Sequence, residues 1–435
     1  MISGWGNYPR TEARLSAFCS LAELRTLLAG DTPLIGRGLG RSYGDSALAP
    51  TLLSTACWNR LRSFDADSGL LVGEAGVSLD DIIRVFMPRG WFPPVTPGTR
   101  FVTLGGALAS DVHGKNHHCD GAFSAHVAWC RLMLADGSIV RCSAQENPEL
   151  FRATVGGMGL TGIILEVALR LRRIESAWIR QHTRRLPDLS SVMQAFEEAN
   201  DASYSVAWID CLQQGGSLGR SVLMTGEHAP ATAIAGLGQP RAPRALGVPC
   251  NLPGWTLNGL SVRAFNALYY RRAPRERTEL ADIYRFFYPL DAIHHWNRIY
   301  GRRGFVQYQL VLPPEQGRAG LPAILEAVAA AGQGCFLAVL KRMGPAGAGY
   351  LGFPREGWTL AMDFPARPGT FRLLDRLDRM VLECGGRLYL TKDARMPREV
   401  FEAGYPELDK FLAVKREVDP HNRFASLQSQ RLGLT

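Results

Sequence analysis

The chain has 435 residues, 46% hydrophobic and 20% charged, a length and composition that predict a globular protein of two domains rather than a disordered one. No apolar run approaches the ~20 residues that span a bilayer, and the N-terminus MISGWGNYPRTEARL lacks the order of a secretory leader. The net charge of +9 is almost all arginine, with lysine only five of 49 basic residues. It is spread along the chain instead of gathered with exposed aromatics, which argues against a nucleic-acid binder. The nine cysteines include no CxxC pair, a pattern of reduced thiols in a cytoplasmic protein that also argues against a four-cysteine zinc site.

In chain order, SLAELRTLLAG predicts a helix with Ser20 as N-cap and Gly30 at its end. PLIGRGLGRSYGDSAL predicts a short strand running into a loop with four glycines between Gly36 and Gly44. GLLVGEAGVSLDDIIRVFMPRG reads as strand, turn and helix, capped at Ser78 and ending at Gly90. HVAWCRLMLADGSIVRCS predicts a hairpin turned at Asp136-Gly137. NPELFRATVGGMGLTGIILEV gives a short helix, a glycine turn and a long apolar strand. From about residue 176 the pattern becomes strands alternating with helices, DLSSVMQAFEEAN, GLPAILEAVAAAG and GTFRLLDRLDRMVLECGG among them. That alternation predicts a sheet with helices on one face, an α+β substrate domain. Residues 229–259, rich in Pro and Gly, predict irregular chain, and VRAFNALYYRRAPRERTELADIYRFFYPL predicts either a helical hairpin with a basic face or a basic, apolar flap.

Glycine permits positive φ and leaves backbone N–H groups unshielded, and consecutive such groups bind phosphate oxygens. GRGLGRSYGD offers one such loop and TPGTRFVTLGGALASDVHG a second, with GGMGLTGI as a third close-approach turn. Either loop alone could be a surface turn. Together they fit a dinucleotide, although neither matches the GxGxxG or GK[ST] fingerprints.

These motifs, in this order, resemble the FAD-binding oxidoreductases of the vanillyl-alcohol-oxidase type, and within them the branch that oxidises the ribose C2 hydroxyl of a lipid-linked ribose. The likeness runs from about Gly4 to the C-terminus and includes FVQYQLVLP, LYLTKDAR and VDPHNRFAS. It implies a flavin-binding domain (1–174 and 387–435) built from both chain ends and a substrate-binding cap (175–386). It further implies that Gly36, Arg37, Gly38, Leu39, Gly40, Arg41, Ser42, Tyr43 and Gly44 lie on the pyrophosphate side of FAD. Gly98, Thr103, Leu104, Gly105, Gly106, Ser110, Asp111, Val112 and His113 form the second flavin contact, Ile164 meets the adenine side, and Tyr389 closes over the flavin. Relatives that link FAD covalently do so through a histidine in the first loop; GLGRS has none, so noncovalent FAD is expected. Some relatives carry a cysteine that covalent nitroaromatic inhibitors attack, where this chain has Ala361.

Oxidising a secondary alcohol requires a proton acceptor at the hydroxyl and polar groups to orient the sugar. VHGKN places His113 and Lys115 directly after the second loop. HHCD beside them lacks the spacing of a helical ligand pair, and no metal is expected. Gln307 and Gln309 share one face of the FVQYQLV strand, and the resemblance puts them in the sugar pocket. Lys341 and Lys392 end two apolar strands in a chain that otherwise chooses Arg. An ammonium lowers its pKa on burial, which Arg cannot do. Lys392 is expected at the reacting hydroxyl, with His113 and Tyr43 beside it, and Lys341 at a phosphate or sugar oxygen.

The expected reaction is oxidation of a polyprenylphosphoryl-β-D-ribose to its 2-keto form. A separate NAD(P)H-dependent short-chain reductase would complete epimerisation to the arabinose used in bacterial cell-envelope glycans. The protein is expected to be cytoplasmic and peripheral on the inner membrane. The alternative is an aldonolactone or alditol oxidase acting on free sugars.

Overall fold

A computed structural model describes residues 1–244 and 246–435. Its α and β content is mixed, and three sheets hold most of its strands. A small parallel sheet is formed by Arg14–Ala17, Thr51–Ser54 and Leu34–Arg37, with Thr51–Ser54 in the middle. The C-terminal segment extends it, since Leu34 bridges Phe424 in parallel, Leu34 N–H donating to Arg423 O at 2.9 Å. A five-stranded antiparallel sheet follows, running Ile139–Cys142, Val127–Met133, Ile163–Arg170, Leu70–Glu74, Leu61–Asp65. Its hairpin turns at Asp136-Gly137, as the sequence predicts, with Gly137 at φ 80°.

The helix Leu79–Phe86 shows how directly local sequence acts. Ser78 caps it in a reciprocal capping box with Asp81, and Leu79, Ile82, Ile83 and Phe86 bury one stripe. A short 3₁₀ turn then ends at Gly90, which takes the left-handed φ of 80° that favours glycine.

Residues 178–388 supply an eight-stranded antiparallel sheet. Its order is Glu276–Asp282, Trp178–Leu186, Ser221–His228, Tyr204–Ile209, Ala338–Met343, Gly357–Pro365, Phe305–Leu312, Arg387–Leu388. Side chains alternate, so each strand sends one set to each face. Ala207, Ile209, Val306, Tyr308, Leu310, Ala338, Leu340, Leu360 and Met362 are buried in the main hydrophobic core. The helices Leu189–Glu198, Pro314–Ala330 and Pro368–Glu383 pack on that side. The opposite face has no helix of this set and carries the intervening residues. This one-sided arrangement is what places a polar row within reach of the glycine loops.

Several local expectations differ from the structure. The helix expected from about residue 320 begins at Pro314, a residue whose fixed φ suits the first helical position. Gly317 lies ahead of the expected helix and Gly320 is its first residue. In the fold they let this helix approach closely, because a Cβ on either would sit 2.6 Å from Trp358 or Cys384. Residues 262–290 are not a helical hairpin. One helix, Gly259–Arg272, is followed by the edge strand Glu276–Asp282, which pairs with Trp178–Leu186, and by the short helix Ile283–Phe287. Among the described residues no helix is long and apolar enough to cross a membrane.

The C-terminal segment is held by a buried charge. The Asp419 carboxylate accepts from the N–H groups of Arg423 (2.7 Å) and Phe424 (2.8 Å) and pairs with Lys415, whose ammonium also donates to Phe424 O at 2.9 Å. Replacing one partner of such a pair strands the other. Asp419→Ala is therefore expected to lower unfolding free energy by roughly 3–5 kcal/mol, measured by urea denaturation. The Lys415→Met/Asp419→Asn double variant should cost less than the sum of its parts.

Candidate active site

The bare face of the eight-stranded sheet and the glycine loops enclose a cleft of about 400 Å³. Gly36 to Tyr43, Gly98, Thr103, Gly105, Gly106, Ser110, Val112, His113, Lys115, Ile164 and Tyr389 line it from one side. Gln307, Gln309, Lys341, Ala361 and Lys392 line it from the other.

The first loop leaves the strand Leu34–Arg37 and folds back so that Gly40 takes φ 65°. Gly38 lies against the second loop, where a Cβ would fall 2.4 Å from Thr103 Oγ1. Among the described residues no protein acceptor takes the backbone N–H groups of Gly38, Leu39, Gly40, Arg41 and Ser42. A run of free N–H groups facing a cleft is an anion nest. Gly98 adds open space, with nothing within 4 Å of where a Cβ would be. This donor set and this room fit a pyrophosphate-bearing cofactor.

Opposite the loops, His113 is held at both ring nitrogens. Gln309 Nε2 lies 3.0 Å from His113 Nε2 and 3.1 Å from Thr359 Oγ1, and Lys341 Nζ lies 3.0 Å from His113 Nδ1. A neutral imidazole carries one ring proton, so one of these contacts has the ring donating and the other has it accepting, and the tautomer sets which. Gln307 donates to Asp363 Oδ1 at 2.5 Å, leaving buried Oδ2 without a partner. Lys392 Nζ sits 3.9 Å above the Tyr43 ring, which packs edge-on against Phe305. Tyr389 donates to Ser110 O at 2.8 Å and stacks on Phe353. Lys115 donates to Phe286 O and lies 4.2 Å over the Phe286 ring.

Three of the five lysines therefore meet in one cleft. Burial brings Lys341 down to about 7, reinforced by the Lys392 charge. Burial likewise brings Lys115 to about 7, with Lys341 adding to it. Lys392 falls to about 8 through burial, opposed by the Asp363 carboxylate. Asp363 itself is raised to about 7 by burial, against the pull of Gln307 and Lys392. His113 stays neutral because burial, then Lys341, press it well below the imidazole range. Neutral amines poised near physiological pH can take protons, and no arginine could.

The structure brings together nearly all the residues singled out in the sequence. Gly44, Leu104 and Asp111 do not line the cleft. Gly44 instead meets the Asp393 backbone, Leu104 turns into the core, and the enclosed Asp111 carboxylate accepts from Ser124 N–H at 3.0 Å. Two lysine placements also change. Lys341 lies inside the strand Ala338–Met343, opposite Thr359, instead of ending it. Lys392 lies in a turn after the two-residue strand Arg387–Leu388. Sequence reasoning missed Asp363, whose only signal was a lone acid in the apolar strand GWTLAMDFP. It also missed Arg431, which pairs with Asp45 and Asp393 and clamps the Lys392 turn to the first loop.

Residues 8–143 match the model of the FAD binding domain family. Over its whole length the chain is 36% identical to decaprenylphosphoryl-β-D-ribose oxidase of Mycolicibacterium smegmatis, covering 97% of that protein. It is 33% identical to an uncharacterised protein of Streptomyces coelicolor, over 82% of this chain and all of that one. A putative D-arabinono-1,4-lactone oxidase of Neurospora crassa is 28% identical, over 31% of this chain and 24% of its own.

The lysine electrostatics can be read directly, since ¹³Cε-lysine labelling gives only five resonances to assign. Lys115, Lys341 and Lys392 are expected to titrate below the ordinary lysine range. Asp363→Asn removes the one charge that raises Lys392, so Lys392 should titrate at still lower pH. A Lys392 resonance that does not move would show that the carboxylate does not act on it.

Proposed function

The chain belongs to the family of decaprenylphosphoryl-β-D-ribose oxidase, an FAD-dependent oxidoreductase family, and on that premise we propose its substrate and mechanism. The substrate is a polyprenylphosphoryl-β-D-ribose, and the product is its 2-keto sugar. The observation that carries this reading is the cluster of neutral-prone amines and paired glutamines facing the glycine loops across one cleft.

When bound, FAD supplies the acceptor for the hydride that leaves C2. Lys392 in its free-amine form takes the proton of the 2-hydroxyl, while Tyr43 packs beneath its ammonium and Asp363 tunes it. Gln307 and Gln309 orient the ribose hydroxyls. The Lys341–His113 pair hydrogen-bonds a sugar or phosphate oxygen, and Lys115 adds a further cation to that wall. FAD is held noncovalently. Supporting this, among the described residues no cysteine lines the cleft, and both nitrogens of His113 are engaged. Residues 1–174 and 387–435 form the flavin-binding unit and 175–386 the cap. The lipid-linked substrate implies work at the inner-membrane surface. A 2-keto sugar that is to become an arabinose also requires an NAD(P)H-dependent reductase as partner.

The purified protein is expected to be yellow, to release FAD on denaturation, and to bleach anaerobically with polyprenylphosphoryl ribose. Bleaching by a free aldonolactone or alditol but not by the lipid would instead make the chain a soluble-sugar oxidase. The single-turnover bleaching rate should climb about tenfold per pH unit below the Lys392 pKa of about 8 and level off above it, because only the free amine accepts a proton. Lys392→Met should slow the step by about 10²–10⁴-fold and abolish that limb. A limb that survives the substitution would put the base elsewhere.

A further inference from the structure

The cleft floor is polar on one side only. Its residues form rows across the sheet, and one row runs Gln309, Ala361, Val339, Trp208 through successive paired strands. Two residues along from Trp208 on the same strand face, Val206 lies opposite Met224 in the neighbouring row. All of these line the cleft. At ~4.8 Å between strands, Gln309 to Trp208 spans about 14 Å, and over that distance the floor passes from amide to hydrocarbon.

The apolar end does not stop at a wall. Trp208 packs on Tyr269 of the helix Gly259–Arg272, with ring centroids 4.6 Å apart, and Tyr269 stacks on Phe265, which meets Phe336 edge-on. This helix is covered on little of its surface. Of its fourteen residues only Val262 and Asn266 are buried, Asn266 donating to Asp210 at 2.8 Å. Leu260, Leu268 and Phe265 are 78%, 51% and 45% exposed. Apolar side chains left in water beside a cleft mark a binding surface.

We propose that the Val339–Trp208–Val206–Met224 floor and the outer face of this helix, from Tyr269 to Leu268, bind the isoprenoid tail of the substrate. The proposal rests on the polyprenyl reading above. The occupant is an aliphatic chain, because the surface is continuous with the sugar end of the same cleft and its lining along the track is hydrocarbon and aromatic. A geranyl chain ends on the sheet face, whereas a decaprenyl chain must continue past Tyr269 onto the helix.

The test compares kcat/KM for decaprenyl- and geranylphosphoryl ribose, both dispersed in detergent micelles. The protein should prefer the long chain, and Phe265→Ala/Leu268→Ala should reduce the long-to-short ratio about tenfold, the scale of a few lost methylene contacts. Both positions are solvent-facing, so the fold should survive. Met224→Gln, on the sheet face, provides a second variant and should depress turnover of both lipids. A ratio unchanged in the double variant would overturn the proposal, and so would unchanged turnover of both lipids by Met224→Gln. So would a change in ratio seen only with anionic phospholipid vesicles and never in micelles, which would make the helix a bilayer contact. If neither lipid bleaches the wild type, the substrate reading fails and takes the tail site with it. If both are turned over but the ratio never moves, only the tail site falls.

Discussion

A Cβ on Gly44 would lie 1.7 Å from the carbonyl oxygen of Asp393, so the first glycine loop and the turn carrying Lys392 can meet only because position 44 has no side chain. Around that backbone contact Tyr43 N–H donates to Thr391 O at 3.1 Å, and Arg431 spans Asp45 and Asp393 at 2.8 Å each. Residues from opposite ends of the chain thereby become neighbours. The ring of Tyr43 lies under the ammonium of Lys392 as a consequence. The site thus depends on a junction that no single segment encodes.

The electrostatics follow from enclosure. Burial disfavours the charged form of all three lysines in the cleft, and the Lys392 charge adds to this at Lys341, as the Lys341 charge does at Lys115. One carboxylate, Asp363, works against that trend, and it too is raised by burial. Such a cluster costs stability, yet it yields amines able to exchange protons near neutral pH. That explains the choice of lysine at these positions in an arginine-rich chain. By contrast, the buried Lys415 is fully paired to Asp419 and a carbonyl, and its setting is structural.

Much of this was legible in the sequence, because the informative signals were local. Glycine spacing announced the loops, Asp136-Gly137 the hairpin, and Ser78 a helix start. Period-two alternation put Gln307 and Gln309 on one face. What was not legible depends on register. Asp363 matters because it pairs across from Gln307, a relation between strands 56 residues apart. Lys341 looks like a strand terminus until its partner Thr359 is known. The close approach at Gly317 and Gly320 is likewise hidden until Trp358 and Cys384 are seen in the space their missing side chains leave.

The same one-sidedness links fold and chemistry. An antiparallel sheet that buries one face under helices is free to vary the other without disturbing its core. Here that freedom is used twice on a single surface. Strands Phe305–Leu312 and Gly357–Pro365 present amides and a carboxylate beside the glycine loops, and Ser221–His228 and Tyr204–Ile209 present Met224, Val206 and Trp208 farther along. Strand order alone therefore sorts polar from apolar across the cleft, and a ligand with a sugar at one end and hydrocarbon at the other has one orientation in which both ends are matched.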